Sequence, residues 1–342
     1  MIVSCRKGGD AMRPEWIFYM IQNPLLIKSG KNVIKLYHQV KTQPKTLPER
    51  YYYMTKPIEK IFPQPDGAGM VGDGFRVFNY FPNKELSQRR VSPFLLLDFN
   101  AEIDFSPSDH IRGVGVHPHK GFETVTIVYK GSVAHNDSTG SSGVIHPGDV
   151  QWMTAGAGVL HKEYHEESYS KKGGPFEMVQ LWVNLPAKSK QTPPGYQAIT
   201  ADRMTKVELP GGGGTVNVIA GEYDGHRGAA ATFTDINVFD LRLNRARQFE
   251  ARIPATHHCL LLVVKGSVEV NGQAVNEHDL ALFGEEGEEI GIRAQDDSVV
   301  LLLSGEPINE PIAHYGPFVM NTTAELEAAM QEYRTGKFGS LK

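Results

Sequence analysis

Residues 124–133 read TVTIVYKGSV, and residues 260–268 read LLLVVKGSV. Each is a short apolar run closed by the same tetrapeptide, Lys130-Gly131-Ser132-Val133 in the first copy and Lys265-Gly266-Ser267-Val268 in the second. Runs of this length rich in Val, Ile, Leu and Thr read as strands, and the Gly-Ser after each reads as a turn. An acidic turn follows each copy, Pro147-Gly148-Asp149 in the first and His278-Asp279 in the second. The matching context points to a duplicated β unit, a barrel or sandwich built twice over residues 54–190 and 198–310. Packed antiparallel sheets of this kind bury their edges and enclose a cavity, which suits a ligand site.

The rest of the chain fits that reading. Further strand-like runs are Val179–Asn184, Thr215–Ala220, Val238–Leu243 and Ser298–Leu303. Gly-rich punctuation lies between them, and 35 Gly with 21 Pro in 342 residues is the composition of a turn-rich all-β protein. One helix is expected, at the far end. There Thr322 and Glu325 form a capping box, Leu326, Ala329, Met330 and Tyr333 form one apolar stripe, and Gly336 stops it.

Charge is unevenly spread. Residues 1–53 carry nine Lys/Arg and three acids, a net of +6, so the remainder carries −10 of the total −4. No hydrophobic period holds for long there, and the character changes at Met54. Residues 1–53 are therefore expected to be an N-terminal extension, either non-native leader sequence or a disordered basic arm. The net charge argues against direct nucleic-acid binding, which needs a basic surface. Trp16–Ile27, the longest candidate membrane segment, is interrupted by Gln22, Asn23 and Pro24. Two cysteines, Cys5 and Cys259, cannot make a disulfide framework. No signal-peptide layout is visible, and the expected compartment is the cytoplasm.

The chemistry concentrates in the first half. His117-Pro118-His119-Lys120-Gly121-Phe122-Glu123 precedes the first strand run, and His161-Lys162-Glu163 follows the Pro147-Gly148-Asp149 turn. Residues two apart on a strand share a face. His117 and His119 then point one way, as do His161 and Glu163. If the two strands are neighbours or face each other, three imidazoles and a carboxylate converge on one point. Such an N/O set suits iron, manganese, nickel, copper or zinc, and an octahedral ion would keep two positions open. Glu123 continues the same register and is expected to orient one of the histidines from behind. His110, His135, His146 and His165 read as surface or turn residues, and His257-His258 as structural. The corresponding positions of the second half hold Arg252 and Pro254, then Gly291 and Arg293, so that half retains none of the donors.

The stretch HPHKGFETVTIVYKGSVAHNDSTGSSGVIHPGDVQWMTAGAGVLHKE, residues 117–163, closely resembles the pirin family of the cupin superfamily. So do VQLWVNLP at 179–186 and GEPINEPIAHYGPFVMNT at 305–322. The resemblance covers nearly all of 54–342 and none of 1–53. It implies an all-β bicupin: two tandem cupin β-barrel domains, with residues 311–342 forming a tail and short helix that return to the first domain. It implies one divalent metal, usually iron(II), held by His117, His119, His161 and Glu163. It also implies quercetin 2,3-dioxygenase activity, in which O2 opens a flavonol ring and carbon monoxide leaves. In that reaction Glu163 is expected to be the base for the flavonol hydroxyl, with Phe105, Phe122, Trp152 and Trp182 as possible walls for a flat ring. A different expectation from the same family is a metal- or redox-sensing regulator that binds a transcription factor or metabolic enzyme. The expected oligomeric state is a monomer.

Overall fold

The computed structural model describes residues 54–341 and, among the earlier ones, two short strands. Those two, Leu26–Ser29 and Asn32–Lys35, pair as an antiparallel hairpin within a separate unit, residues 1–52. The rest of the expected extension lies outside the described residues.

Residues 53–342 form one compact unit made of two β halves. Each half has a seven-stranded and a four-stranded antiparallel sheet. In the first half the large sheet runs Gly195–Ile199, Val150–Thr154, Phe122–Lys130, Gly174–Asn184, Phe94–Phe105, Phe75–Phe81, Gly69–Val71. Its small sheet runs Ser142–Ile145, Val133–Asp137, Val159–His165, Gly113–His119. The second half repeats the plan, with Ile236–Leu243, Ser298–Gly305 and His258–Lys265 at the centre of its large sheet. This is the all-β, two-cupin architecture expected from the sequence. The two Lys-Gly-Ser turns are also equivalent in backbone: Gly131 has φ 79° and Gly266 φ 80°, a region where a side chain would be strained.

Strand alternation explains the packing. Val125, Ile127, Val179 and Leu181 of the first large sheet share one buried core with Leu260, Leu262, Leu301 and Leu303 of the second. The opposite faces point into the barrels, and there the halves differ. The second barrel is filled by apolar side chains, among them Val216, Val218, Leu261, Val263, Phe249 and Ile292. The first has a smaller apolar cluster around Val128, Val133 and Phe176. Its other buried positions include Thr124, Thr126, His135, Gln151, His161 and Glu163.

Chain and barrel do not divide at the same places. Ile58–Phe62 pairs with Leu280–Phe283, so the start of the expected first domain is the edge strand of the second half's sheet. Gly195–Ile199, beyond residue 190, pairs with Val150–Thr154 in the first. The C-terminal helix spans Thr323–Arg334, and its capping box is formed as expected. Leu326 and Ala329 are buried, whereas Tyr333 is 43% exposed, so the stripe narrows towards the end. A second helix, Glu167–Lys172, was not expected. It is too short to show an apolar period, and the Glu166 side chain caps it by accepting from Ser168 N and Tyr169 N.

Candidate metal centre

His117 and His119 end one strand of the small sheet, and His161 and Glu163 lie on its neighbour. His161 stands directly opposite His117, and Val159 opposite His119. The register of this pair shifts because the Gly113–His119 strand carries one extra residue between Val114 and His117, a bulge, while His161 and Glu163 keep regular alternation, paired on their other side with Asp137 and His135. As a result one donor nitrogen from each of His117, His119 and His161 lies within 4.8 Å of the other two. Glu163 Oε2 lies 3.3 Å from His161 Nε2.

The electrostatics suit metal ligation. Burial lowers the pKa of His117, and lowers that of His119 further, so both rings favour the neutral form that a cation needs. His117 Nδ1 lies 2.8 Å from the Gly115 carbonyl, which places the proton there and leaves Nε2 with its lone pair. Nδ1 of His119 and Nδ1 of His161 have no hydrogen-bond partner, and Nε2 of His161 faces only the Glu163 carboxylate. Buried polar atoms without partners are unusual, and a nitrogen left over on each of two neighbouring imidazoles fits a shared ion, to which each ring would give one nitrogen. For Glu163, burial pushes the pKa up, but the adjacent His161, with His117 and His135, outweighs it and holds the carboxyl below its usual range. Thr126 Oγ1 lies 3.3 Å from Glu163 Oε1 and 3.1 Å from Gln180 Oε1.

The aromatic surroundings divide. The Phe122 and Trp182 rings lie 5.2 and 5.4 Å from that of His119 and 4.3 Å from each other. Trp152 instead belongs to the core shared by the two halves, and Phe105 packs on His165 and Phe176. Neither of these two has a ring contact with the histidine cluster.

Glu123 differs from its expected place. The turn at Lys120–Gly121, where Gly121 has φ 88°, breaks the alternation that was carried forward from His119. Glu123 therefore falls on the strand face of Val125 and Ile127, opposite Thr124 and Thr126. Its carboxyl accepts from Thr154 Oγ1 at 2.7 Å, with the Trp152 indole nearby, and not from an imidazole. Two histidines also differ. His165 is fully buried, with Nε2 2.8 Å from the Gly74 carbonyl and its ring among Phe75, Phe105 and Phe176. His135 is buried on the next strand, directly opposite Glu163. His110 and His146 are exposed, as expected. A sequence signal for Thr126 existed: Thr124 and Thr126 are the polar members of an otherwise apolar alternating strand. None existed for His135, because strand order is not a local property.

The turn after His119 is anchored to the C-terminal tail. Buried Lys190 donates through Nζ to the carbonyls of Gly121 at 2.8 Å and Val319 at 2.9 Å, and to Asn184 Oδ1 at 2.8 Å. Buried Lys120 pairs with Glu332 of the terminal helix at 3.1 Å. The tail packs Phe318, Met320 and Phe338 against Leu160, beside the second ligand strand.

Residues 74–183 match the pirin family, and residues 238–339 match the pirin C-terminal cupin domain. A pirin-like protein of Caulobacter vibrioides is 38% identical over 291 residues, which is 83% of this chain and 99% of the relative. The chain belongs to the pirin family. A Pseudomonas aeruginosa relative, provisionally named a quercetin 2,3-dioxygenase, is 46% identical over 268 residues, or 78% of this chain and 93% of the relative. The crystal structure of a quercetin 2,3-dioxygenase from Acinetobacter baumannii is 46% identical, with a TM-score of 0.80, and covers 84% of this chain and 100% of that one. Among the described residues of this pirin, no helix is long and apolar enough to cross a membrane.

Proposed function

We propose that this pirin is a metal-dependent dioxygenase acting on a flavonol-like substrate, with quercetin 2,3-dioxygenase activity. The observation that carries the reading is the convergence of three imidazoles beside a carboxylate and an aromatic pair. The names of relatives at 46% identity support it. His117, His119, His161 and Glu163 would hold one divalent ion, iron(II) in this reading. When bound, the ion would supply a Lewis acid for the substrate oxyanion and a redox partner for dioxygen.

The protein's own groups do the rest. Glu163, ionised at neutral pH, accepts the proton of the flavonol 3-hydroxyl within hydrogen-bond reach. The Thr126 hydroxyl beside its other oxygen steadies the carboxylate. Phe122 and Trp182 offer an apolar face for a flat ring and exclude water from the histidine cluster. The donors come from a single chain, so a monomer is sufficient. The free thiol of Cys259, fully buried, suits the reducing cytoplasm, where we place the protein.

The test is metal analysis of the purified full chain, coupled to oxygen uptake with quercetin. One ion per chain, with oxygen consumed and carbon monoxide released, is expected. His119→Ala should lose ion and turnover together. Turnover that survives in the metal-free variant would overturn the mechanism. No turnover of any flavonol with iron, copper or manganese would overturn the substrate class.

A further inference from the structure

The first barrel contains a separate chamber, of about 90 Å³, between the outer strands Ser142–Ile145 and Gly195–Ile199 of its two sheets; its lining is mostly apolar, with a few polar groups set into it. None of the four metal-site residues lines it, and neither do Phe122 and Trp182. Its walls include His135, Gln151 and Tyr196, with the His135 and Tyr196 rings stacked at 4.9 Å.

These walls carry unmet hydrogen-bonding capacity. Gln151 is 4% exposed, yet both ends of its amide lack a partner. His135 Nδ1 lacks one too. The Tyr196 hydroxyl faces the carboxylate of Asp137, which lies outside the lining, and the two engage each other. A buried polar atom left dry is costly, so these three, two on Gln151 and one on His135, call for an occupant that both donates and accepts.

Size and charge narrow the occupant. At roughly 30 Å³ per molecule the chamber takes about three waters. A flavonol needs a pocket several times larger. An anion would meet the nearby negative charge of Asp137. A cation would find no uncommitted carboxylate in the lining, because Asp149 is already engaged by the backbone N–H groups of His146 and Ala201. The inner end of the chamber approaches the metal site. Gln151 stands opposite Thr126, whose hydroxyl contacts Glu163, and His135 stands opposite Glu163 itself.

We propose that this chamber is a water site, holding a chain of about three molecules from a mouth at Ser141–Gly143 to the Gln151 amide. It brings water, held by the few polar groups of the lining, towards the carboxylate end of the donor cluster, separate from the Phe122–Trp182 side. The inference stands whether or not the proposed reaction does.

Two measurements on the metal-free full chain test it: a high-resolution crystal structure and ¹⁷O magnetic relaxation dispersion, which counts long-lived internal waters. Ordered waters should bridge Gln151, His135 and Tyr196. Gln151→Met should lower the count by about two, and Tyr196→Phe by about one, on the basis of two to four hydrogen bonds per buried water. If the Gln151 variant fails to fold, the half-buried Tyr196 variant carries the same comparison. Gln151 bonded to protein groups around a dry chamber would overturn the proposal. So would a non-water additive in its place, or a water count unchanged in the folded variants.

Discussion

Replacing Glu123 by Gln should stabilise the protein, and more so at higher pH. The Glu123 carboxyl is 1% exposed, and burial raises its pKa from an ordinary 4.5 to about 7. The folded chain therefore holds that proton more tightly than the unfolded chain. Between pH 4.5 and 7 the unfolded state releases it first, so rising pH favours unfolding. The gap corresponds to about 3 kcal/mol at roughly 1.4 kcal/mol per pH unit. Gln cannot ionise, keeps the shape, and can still accept from the Thr154 hydroxyl. The stability difference between E123Q and wild type should thus widen by about 2 kcal/mol from pH 5, where part of the effect is already present, to pH 8. Urea unfolding of both proteins, stripped of metal and followed by tryptophan fluorescence, measures it. Other titrating groups are common to both proteins and cancel in the difference. Parallel stability curves across that range would refute the assignment of a buried proton to Glu123.

Gly121→Ala should destabilise the fold by about 2 kcal/mol or more, because φ is 88° and the new methyl would stand 2.0 Å from the Val319 carbonyl oxygen. Thermal unfolding of the metal-free variant checks this, and calorimetric titration should show weaker metal binding as the His119 turn moves. Metal affinity of the wild type should hold to a lower pH than ordinary imidazoles allow, since burial lowers the pKa of His117 and His119 and delays proton competition. Titration with zinc between pH 7.5 and 5.5 checks this; a steep loss already at 6.5 would contradict it.

The parts of the site that could be read without coordinates are those governed by near neighbours. His117 with His119, and His161 with Glu163, share faces because a strand turns its side chains over every second residue. The Lys-Gly-Ser turns and the Thr322–Glu325 cap are equally local, and they hold. Glu123 shows where such reasoning stops: one glycine at positive φ redirected the chain between His119 and Phe122, and the alternation restarted on the other face.

Which strands become neighbours is decided by pairings far apart in the chain. Ile58–Phe62 closes the sheet of the second half against Leu280–Phe283, across more than 200 residues. His135 comes to face Glu163 because Val133–Asp137 happens to flank Val159–His165. Nothing within a few residues of either position encodes that. The identity of the donors and their common direction therefore belong to the sequence. Their meeting, the buried Thr126 and Gln151 behind them, and the lysine-bound tail belong to the tertiary structure. Backbone hydrogen bonding is indifferent to sequence, and burial of the apolar faces selects the one strand order that leaves this barrel polar inside.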